Sequence, residues 1–266
     1  MDEKTSPSRS SLLAVEDVDF LLRPEMRSIR FALEYSKADL LLRDWGIRST
    51  IIVFGSARCH SPETAKGLEE TPSLSKQLRW YDEARHFGRI ASQRGGALAP
   101  QDRWRDNVIA TGGGPGLMEA ANRGASEAGA PTIGFNITLP QEQRPNPYIT
   151  PELSFRFHYF AMRKMHLAMR ANALIVFPGG FGTLDEMFEI LTLQQTRKAL
   201  PAPIVLFDQG YWRRLINFDA LVEEAMISPQ DLALFEFADT AEDVWNSLLK
   251  RGLKAHSPDV RAEHTG

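Results

Sequence analysis

The sequence predicts an α/β fold: a doubly wound parallel sheet in a single domain, preceded by an N-terminal helical extension. Three observations carry that prediction. Between residues 50 and 249, short apolar runs alternate with longer segments of helical periodicity. Two of those runs, at 107–111 and 173–177, break directly into glycine-rich turns with a helix pattern behind them. Turns of that kind suit the carboxyl edge of a parallel sheet, where open α/β folds bind their ligands.

Taken in order, residues 1 to about 24 are polar and irregular, Ser/Pro-rich over 5–11, and are expected to be partly disordered. Met26, Ile29, Leu33, Leu40 and Leu41 then recur at roughly helical spacing over 24–45, closing at Gly46. This predicts a helix on the outside of the core or against another subunit, with no recognisable chemistry of its own. Thr50–Phe54 is a β-branched strand running into Gly55 and Ser56. Ser56 has two readings, a hydrogen bond to a phosphate or ribose and an ordinary turn serine. Arg58 reads as a solvated surface charge. Residues 74–94 form a long amphipathic helix ending at Gly95 and Gly96.

Residues 107–111 are the next strand, followed by the turn 112–116 (GGGPG) and a helix over 117–128, with Pro115 well placed for a first helical turn. This is not the dinucleotide fingerprint. With Gly112 and Gly114 as its first two glycines, Leu117 holds the third position, and the next strand (131–137) offers Asn136 where NAD sites place an acid. No Gly-Lys-Ser/Thr follows either glycine turn, so the mononucleotide P-loop is absent too. Hydride transfer and ATP hydrolysis both lose support. Glu119 reads either as a carboxylate complementing the helix dipole or as a ligand contact, and Arg123 as a surface or ion-pair residue.

The proline-rich stretch 139–148 is too polar for the core; it either closes over a ligand, with Glu142 toward a sugar hydroxyl, or simply connects. Residues 154–158 suit a short edge strand. The helix pattern over 160–170 carries Met162, Met165 and Met169 as core filling. It also carries Arg163 and Lys164 close to the strand at 173–177, which predicts Arg163 pointing toward the bend at 179–183. In that bend Gly179, Gly180 and Gly182 let the backbone turn its N–H groups toward an anion, most often a phosphate, at a helix N-terminus. A purely structural reading competes: Thr183 and Glu186 have the spacing of a capping box. Strands at 203–207 and 232–237, helices at 211–226 and 241–249, and a polar tail from 254 complete the chain. The expected organisation is an N-terminal extension (1–47), a nucleotide-binding domain (48–253) and a tail (254–266).

Bulk properties narrow the function. The chain has 266 residues and a formal charge of −3, which argues against a general nucleic-acid binder. No apolar stretch approaches membrane-spanning length, and the start (MDEKTS) lacks a signal peptide's apolar core, so a cytoplasmic protein is expected. Cys59 is alone, and the 6 histidines show no HExxH-type spacing, so a metal-independent protein is expected.

With both turns placed, the sequence resembles the Lonely Guy family of nucleoside-monophosphate phosphoribohydrolases, often mislabelled lysine decarboxylases. The residues that carry the resemblance are 112–124 (GGGPGLMEAANRG), 162–164 (MRK) and 178–186 (PGGFGTLDE), with 54–58 (FGSAR) and 191–196 (LTLQQT) in support. It covers about residues 48 to 210 and points to the longer bacterial type. The resemblance implies a Rossmann-like fold, assembled as a homodimer or a larger assembly of dimers, with sites near the interface. It implies hydrolysis of the bond between N9 of an adenine-type base and ribose 5′-phosphate, without a cofactor, so that the partner is a purine nucleoside 5′-monophosphate. Arg163 and Glu186 take the family's catalytic positions. Gly179, Gly180, Gly182 and Thr183 form its phosphate turn, and Lys164 and Thr192 fall where the family contacts its nucleotide. Ser56, Gly113, Gly114, Glu119 and Asp185 are expected to bind the substrate with them. The plant-type pattern Met-His-x-Arg-Lys is not kept, since Phe160 and Ala161 precede Met162; that departure bears on base specificity, and unmodified and isoprenylated adenine both stay open. Two other readings of the same fold are a non-catalytic carrier, resembling molybdenum-cofactor carriers, and a nucleosidase regulated by alarmone nucleotides through the N-terminal extension.

Overall fold

A computed structural model describes residues 9–138 and 144–254. The expectations made for 1–8, for Glu142 and its neighbours 139–143, and for 255–266 lie outside the described residues. The polar start contains a short helix, α1 (Val18–Leu21), because Asp17 Oδ1 accepts the Phe20 N–H at 3.0 Å and caps it. A 3-10 turn at Pro24–Met26 then leads into α2 (Arg27–Asp44).

From there strands and helices alternate. The elements are β1 (Thr50–Phe54), α3 (Pro72–Arg94), β2 (Val108–Thr111), α4 (Leu117–Glu127), β3 (Ile133–Ile137) and β4 (Ser154–Phe157). They continue with α5 (Phe160–Met169), β5 (Ala171–Val176), α6 (Phe181–Gln195), β6 (Ile204–Phe207), α7 (Gln209–Leu215), α8 (Phe218–Glu223), β7 (Phe235–Ala238) and α9 (Ala241–Lys250). The seven strands form one sheet in the order β4-β3-β2-β1-β5-β6-β7, and every pairing is parallel. The chain winds outward from β1 to β4, returns to β5 beside β1, and winds outward again to β7. The two windings part between β1 and β5, and that is where such sheets open a crevice at their carboxyl ends.

Strand β1 is buried throughout, and its side chains serve both faces alternately. Ile51 and Val53 join a cluster with Phe87, Ala121 and Leu248 beneath α3, α4 and α9. Ile52 and Phe54 join the opposite cluster, with Leu42, Leu167 and Met187 from α2, α5 and α6. The N-terminal helix α2 is thus part of the core on the face that also holds α5 and α6.

Two stretches differ from the sequence reading. The helix expected over 211–226 is split: the chain is extended at Ile216 (φ −130°, ψ 122°), and Asn217 Oδ1 accepts the Ala220 N–H at 3.1 Å, starting α8 afresh. The last strand begins at Phe235 rather than 232, because a capping box between Ser228 and Asp231 holds Pro229–Leu234 as a 3-10 helix. Local side-chain caps decided both cases against apolar periodicity. Among the described residues, no helix is long and apolar enough to cross a membrane.

Candidate functional site

The loops after β1 and β5 are stitched together at the crevice. Phe177 N–H donates to Phe54 O at 2.8 Å, and Ser56 N–H donates to Pro178 O at 2.9 Å. Helix α6 begins at Phe181, with Gly180 ahead of it and no side-chain cap. The capping box read from Thr183 and Glu186 is therefore not formed. The helix starts two residues before Thr183, whose N–H bonds Gly180 O at 3.0 Å, and the Glu186 carboxylate is engaged elsewhere. The three glycines of this turn differ in why they are glycines. A Cβ on Gly179 would lie 2.1 Å from Thr183 Oγ1, so packing within the turn forbids one. A Cβ on Gly180 or Gly182 would meet nothing within 4 Å. The positive end of α6 is thus left bare, an arrangement suited to an anion.

The first glycine turn is held rigidly from below. Thr111 Oγ1 accepts the Gly113 N–H at 2.9 Å and donates to Asn122 Oδ1 at 2.7 Å. Asn146 Nδ2 donates to Gly114 O at 3.1 Å and to Asn122 Oδ1 at 3.0 Å, while its own N–H donates to Gly113 O at 2.9 Å. Gly113 has a φ of +75°, and a Cβ there would strike Asn136 Oδ1 at 2.2 Å, so only glycine fits. Asn136 thus lies beneath the turn, an amide at the position where NAD sites carry an acid.

Arg163, on the first turns of α5, lies between the two glycine turns. Its Nη2 donates to Glu186 Oε1 at 2.5 Å, with both side chains almost entirely buried. Its Nη1 lies 3.9 Å from where a Cβ on Gly112 would stand, which puts the guanidinium against the first turn as well. Its Nε is buried without a hydrogen-bond partner, and its guanidinium lies 5.2 Å from the centre of the Phe160 ring. Burial raises the pKa of Glu186, while the positive charges of Arg163 and Lys164 act against the rise. Lys164 Nζ sits 2.8 Å from both Asp185 Oδ2 and Glu189 Oε2, one turn apart on α6.

The structure therefore brings Arg163, Lys164, Gly113, Gly114, Asp185, Glu186 and the bend 179–183 to one edge of the sheet. Ser56 is close by: its Oγ accepts the Arg58 N–H at 3.1 Å, a turn role, while the residue also lines a cleft of about 230 Å³ with Arg58, Cys59, Gln77, Tyr211 and the Gly179–Gly180 bend. Burial pushes the Cys59 thiol up to about 11, so it stays protonated near neutral pH. Glu119 stands on the first turn of α4, where its Oε1 accepts the Tyr81 hydroxyl of α3 at 2.9 Å. Thr192 does not join the group; it is exposed, donates to Phe188 O at 2.7 Å, and lies roughly 14 Å down α6 from Thr183 at the helical rise. Arg123 is an ion-pair residue, 2.8 Å from Glu63.

Three contributors were missed by the sequence reading. Asn146 stands in a loop with nothing to flag it. Tyr211 donates its hydroxyl to Gly179 O at 2.7 Å, which turns that carbonyl toward α7 and the following N–H away from it. Asp208 takes a left-handed φ of +68°, caps α7 through the Tyr211 N–H at 2.8 Å and accepts Trp80 Nε1 at 2.7 Å. An aspartate directly between a strand and a helix was a readable cap signal. Among the described residues, no group of three or more His, Cys, Asp and Glu side chains could hold a metal ion.

A family model described as "Possible lysine decarboxylase" matches residues 118–248. Cytokinin riboside 5′-monophosphate phosphoribohydrolase LOG1 of Arabidopsis thaliana is 31% identical over 147 residues, spanning 53% of this chain and 67% of that protein. LOG7 of the same plant, of the same description, is 28% identical over 201 residues, 72% of this chain and 87% of that protein. Among solved structures, the molybdenum cofactor carrier protein of Chlamydomonas reinhardtii aligns with a TM-score of 0.48 at 20% identity, covering 77% of this chain and 98% of that one.

Proposed function

Because the chain belongs to the Lonely Guy family of phosphoribohydrolases, whose model carries the older lysine-decarboxylase description, we propose that it is an N-glycosyl hydrolase acting on a purine riboside 5′-monophosphate. In this reaction the bond between C1′ and the base nitrogen breaks, the oxygen of a water molecule bonds to C1′, and a proton from water ends on the base. The products are the free adenine-type base and ribose 5-phosphate. The observation that carries the reading is the buried contact of Arg163 with Glu186 at 2.5 Å, between two glycine turns that face the same crevice.

Each part has a role that its chemistry suits. The bare N-terminus of α6, at Gly180 and Gly182, takes the 5′-phosphate on backbone N–H groups, far enough from the reacting bond to serve as a handle. Departure of the base builds positive charge on the sugar, and the Glu186 carboxylate is placed to stabilise that charge and to orient water. Its raised pKa makes it a stronger base toward water than an exposed glutamate. Arg163 holds Glu186 in place and keeps a buried Nε donor for a ribose hydroxyl or phosphate oxygen.

The same reading includes a homodimer. Phe181 is 92% exposed at the tip of the second turn, and Phe188, Phe160 and Met165 are exposed on α6 and α5 beside it. A second copy over this face would cover them and would bring Thr192, remote within one chain, to the rim of the site. The test of the activity is incubation with AMP and with prenylated AMP, followed by assay for free base and ribose 5-phosphate. The proposal expects release from at least one of them, and absence of release from every purine monophosphate would overturn it.

A further inference from the structure

The N-terminal helix α2, whose sequence carries no recognisable chemistry, grips the helix that carries Arg163 at three points. Helix α5 has no side-chain cap of its own, because the residue ahead of it is Tyr159. The cap comes from far away in sequence. One carboxylate, Glu34 of α2, accepts the His158 N–H at 2.8 Å and the Tyr159 N–H at 3.2 Å, placing negative charge at the positive end of α5. From the same helix, Arg30 Nε donates to the Tyr159 hydroxyl at 2.9 Å, and the Phe31 ring meets the Tyr159 ring edge-on at 4.3 Å. Midway along α5, His166 Nε2 lies 3.1 Å from Tyr35 O. At the far end, Arg170, the residue that closes α5, forms a buried pair with Asp39.

Arg163 lies between these grips and is tied directly to the first of them. Its backbone N–H donates to Tyr159 O at 3.2 Å, so the residue held by α2 is the one that anchors the Arg163 backbone. An axial slip of α5 by a single residue would be about 1.5 Å, enough to break a charge-assisted contact of 2.5 Å between Arg163 and Glu186.

We propose that Glu34 is a positioning residue for the hydrolysis proposed above, fixing Arg163 against Glu186 by clamping His158 and Tyr159, so that the N-terminal extension forms part of the catalytic framework. The inference rests on that functional reading. Its test uses the full chain with Glu34→Ala and Glu34→Gln, and Ser36→Ala as an exposed control on the same helix. Three quantities are measured: kcat, KM for the nucleotide, and amide hydrogen exchange of His158, Tyr159 and Arg163. Glu34→Ala is expected to lower kcat by about tenfold or more while KM moves by less than about threefold, and to speed exchange at all three amides. Glu34→Gln, which keeps one of the two acceptor oxygens and loses the charge, recovers only part of both. A merely structural residue would lower the melting temperature and leave kcat per folded molecule unchanged, and that result overturns the proposal. If wild type releases no base, the functional reading has failed separately. The clamp is then decided by exchange alone: unchanged exchange at Arg163 in Glu34→Ala overturns it. Should Glu34→Ala not fold, Glu34→Asp, which keeps the charge but falls one methylene short of the two N–H groups, is expected to show the same kcat loss in milder form, and a wild-type kcat with wild-type exchange at Arg163 overturns the proposal.

Discussion

Arg163 donates to Glu186 across 2.5 Å, joining the helix ahead of β5 to the helix behind it. Both partners are buried, and neither helix could shift without separating them. Replacing Arg163 by Ala leaves a buried carboxylate without its counter-ion, a change that typically costs about 3–5 kcal/mol. We expect Arg163→Ala to lose turnover by at least about 100-fold and to melt well below wild type, while Arg163→Lys, which keeps the charge, regains part of the stability. Thermal melts alongside steady-state kinetics check both.

The pH profile follows from Glu186. Burial raises its pKa, and the reaction needs it ionised, so activity should fall on acidification from a pH above the usual glutamate value of about 4.3. Arg163 favours the ionised form; weakening that attraction in Arg163→Lys moves the acid limb of kcat further upward. A limb at the ordinary glutamate value in both proteins would contradict the assignment.

The second turn allows a clean contrast between two neighbouring glycines. A Cβ on Gly179 would overlap Thr183 Oγ1, so Gly179→Ala is expected to destabilise the fold by about 1–3 kcal/mol. A Cβ on Gly180 meets open space, so Gly180→Ala should melt like wild type yet raise KM by about tenfold, because the added methyl stands where the phosphate is expected. Melting curves and KM, measured on both, separate packing from binding.

His166 should make the protein acid-labile. It is buried among the Phe135 and Phe157 rings, its Nε2 faces the Tyr35 carbonyl, and its Nδ1 has no partner, so the buried ring is neutral with the hydrogen on Nε2. Burial pushes its pKa down to about 4, against 6.5 in an unfolded chain. The unfolded state therefore binds the extra proton first. Stability is full above about pH 6.5 and falls as the pH drops toward 4, by up to about 3 kcal/mol. Denaturant titrations across that window should show the decline, and His166→Phe should flatten it.

The homodimer reading predicts that Phe181→Asp yields monomers by light scattering and reduces activity with it. A monomeric wild type at micromolar concentration would remove this part of the account.

How much of this was legible depended on whether a feature is local. Both glycine turns, the strands that feed them and the edge position of Ser154–Phe157 follow from runs of a few residues, and the structure has them. Periodicity failed at Asn217 and Ser228, where a single side-chain cap redirects the chain. Thr183 and Glu186 show the reverse error: their spacing fits a cap, but the helix begins earlier and Glu186 answers to Arg163 instead. Asn146, Tyr211 and Glu34 were unreadable for another reason. Each acts on backbone far away in sequence, such as Glu34 on His158, and no local pattern marks a hydrogen bond across 124 residues.

The most direct test of the central claim compares wild type with Glu186→Gln on the same nucleotide, measuring base release in single turnover and nucleotide affinity together. The account predicts at least about a thousandfold loss of turnover with a dissociation constant within about threefold of wild type. Equal turnover in the two proteins, or tight binding with no turnover even in wild type as for a carrier, would contradict it.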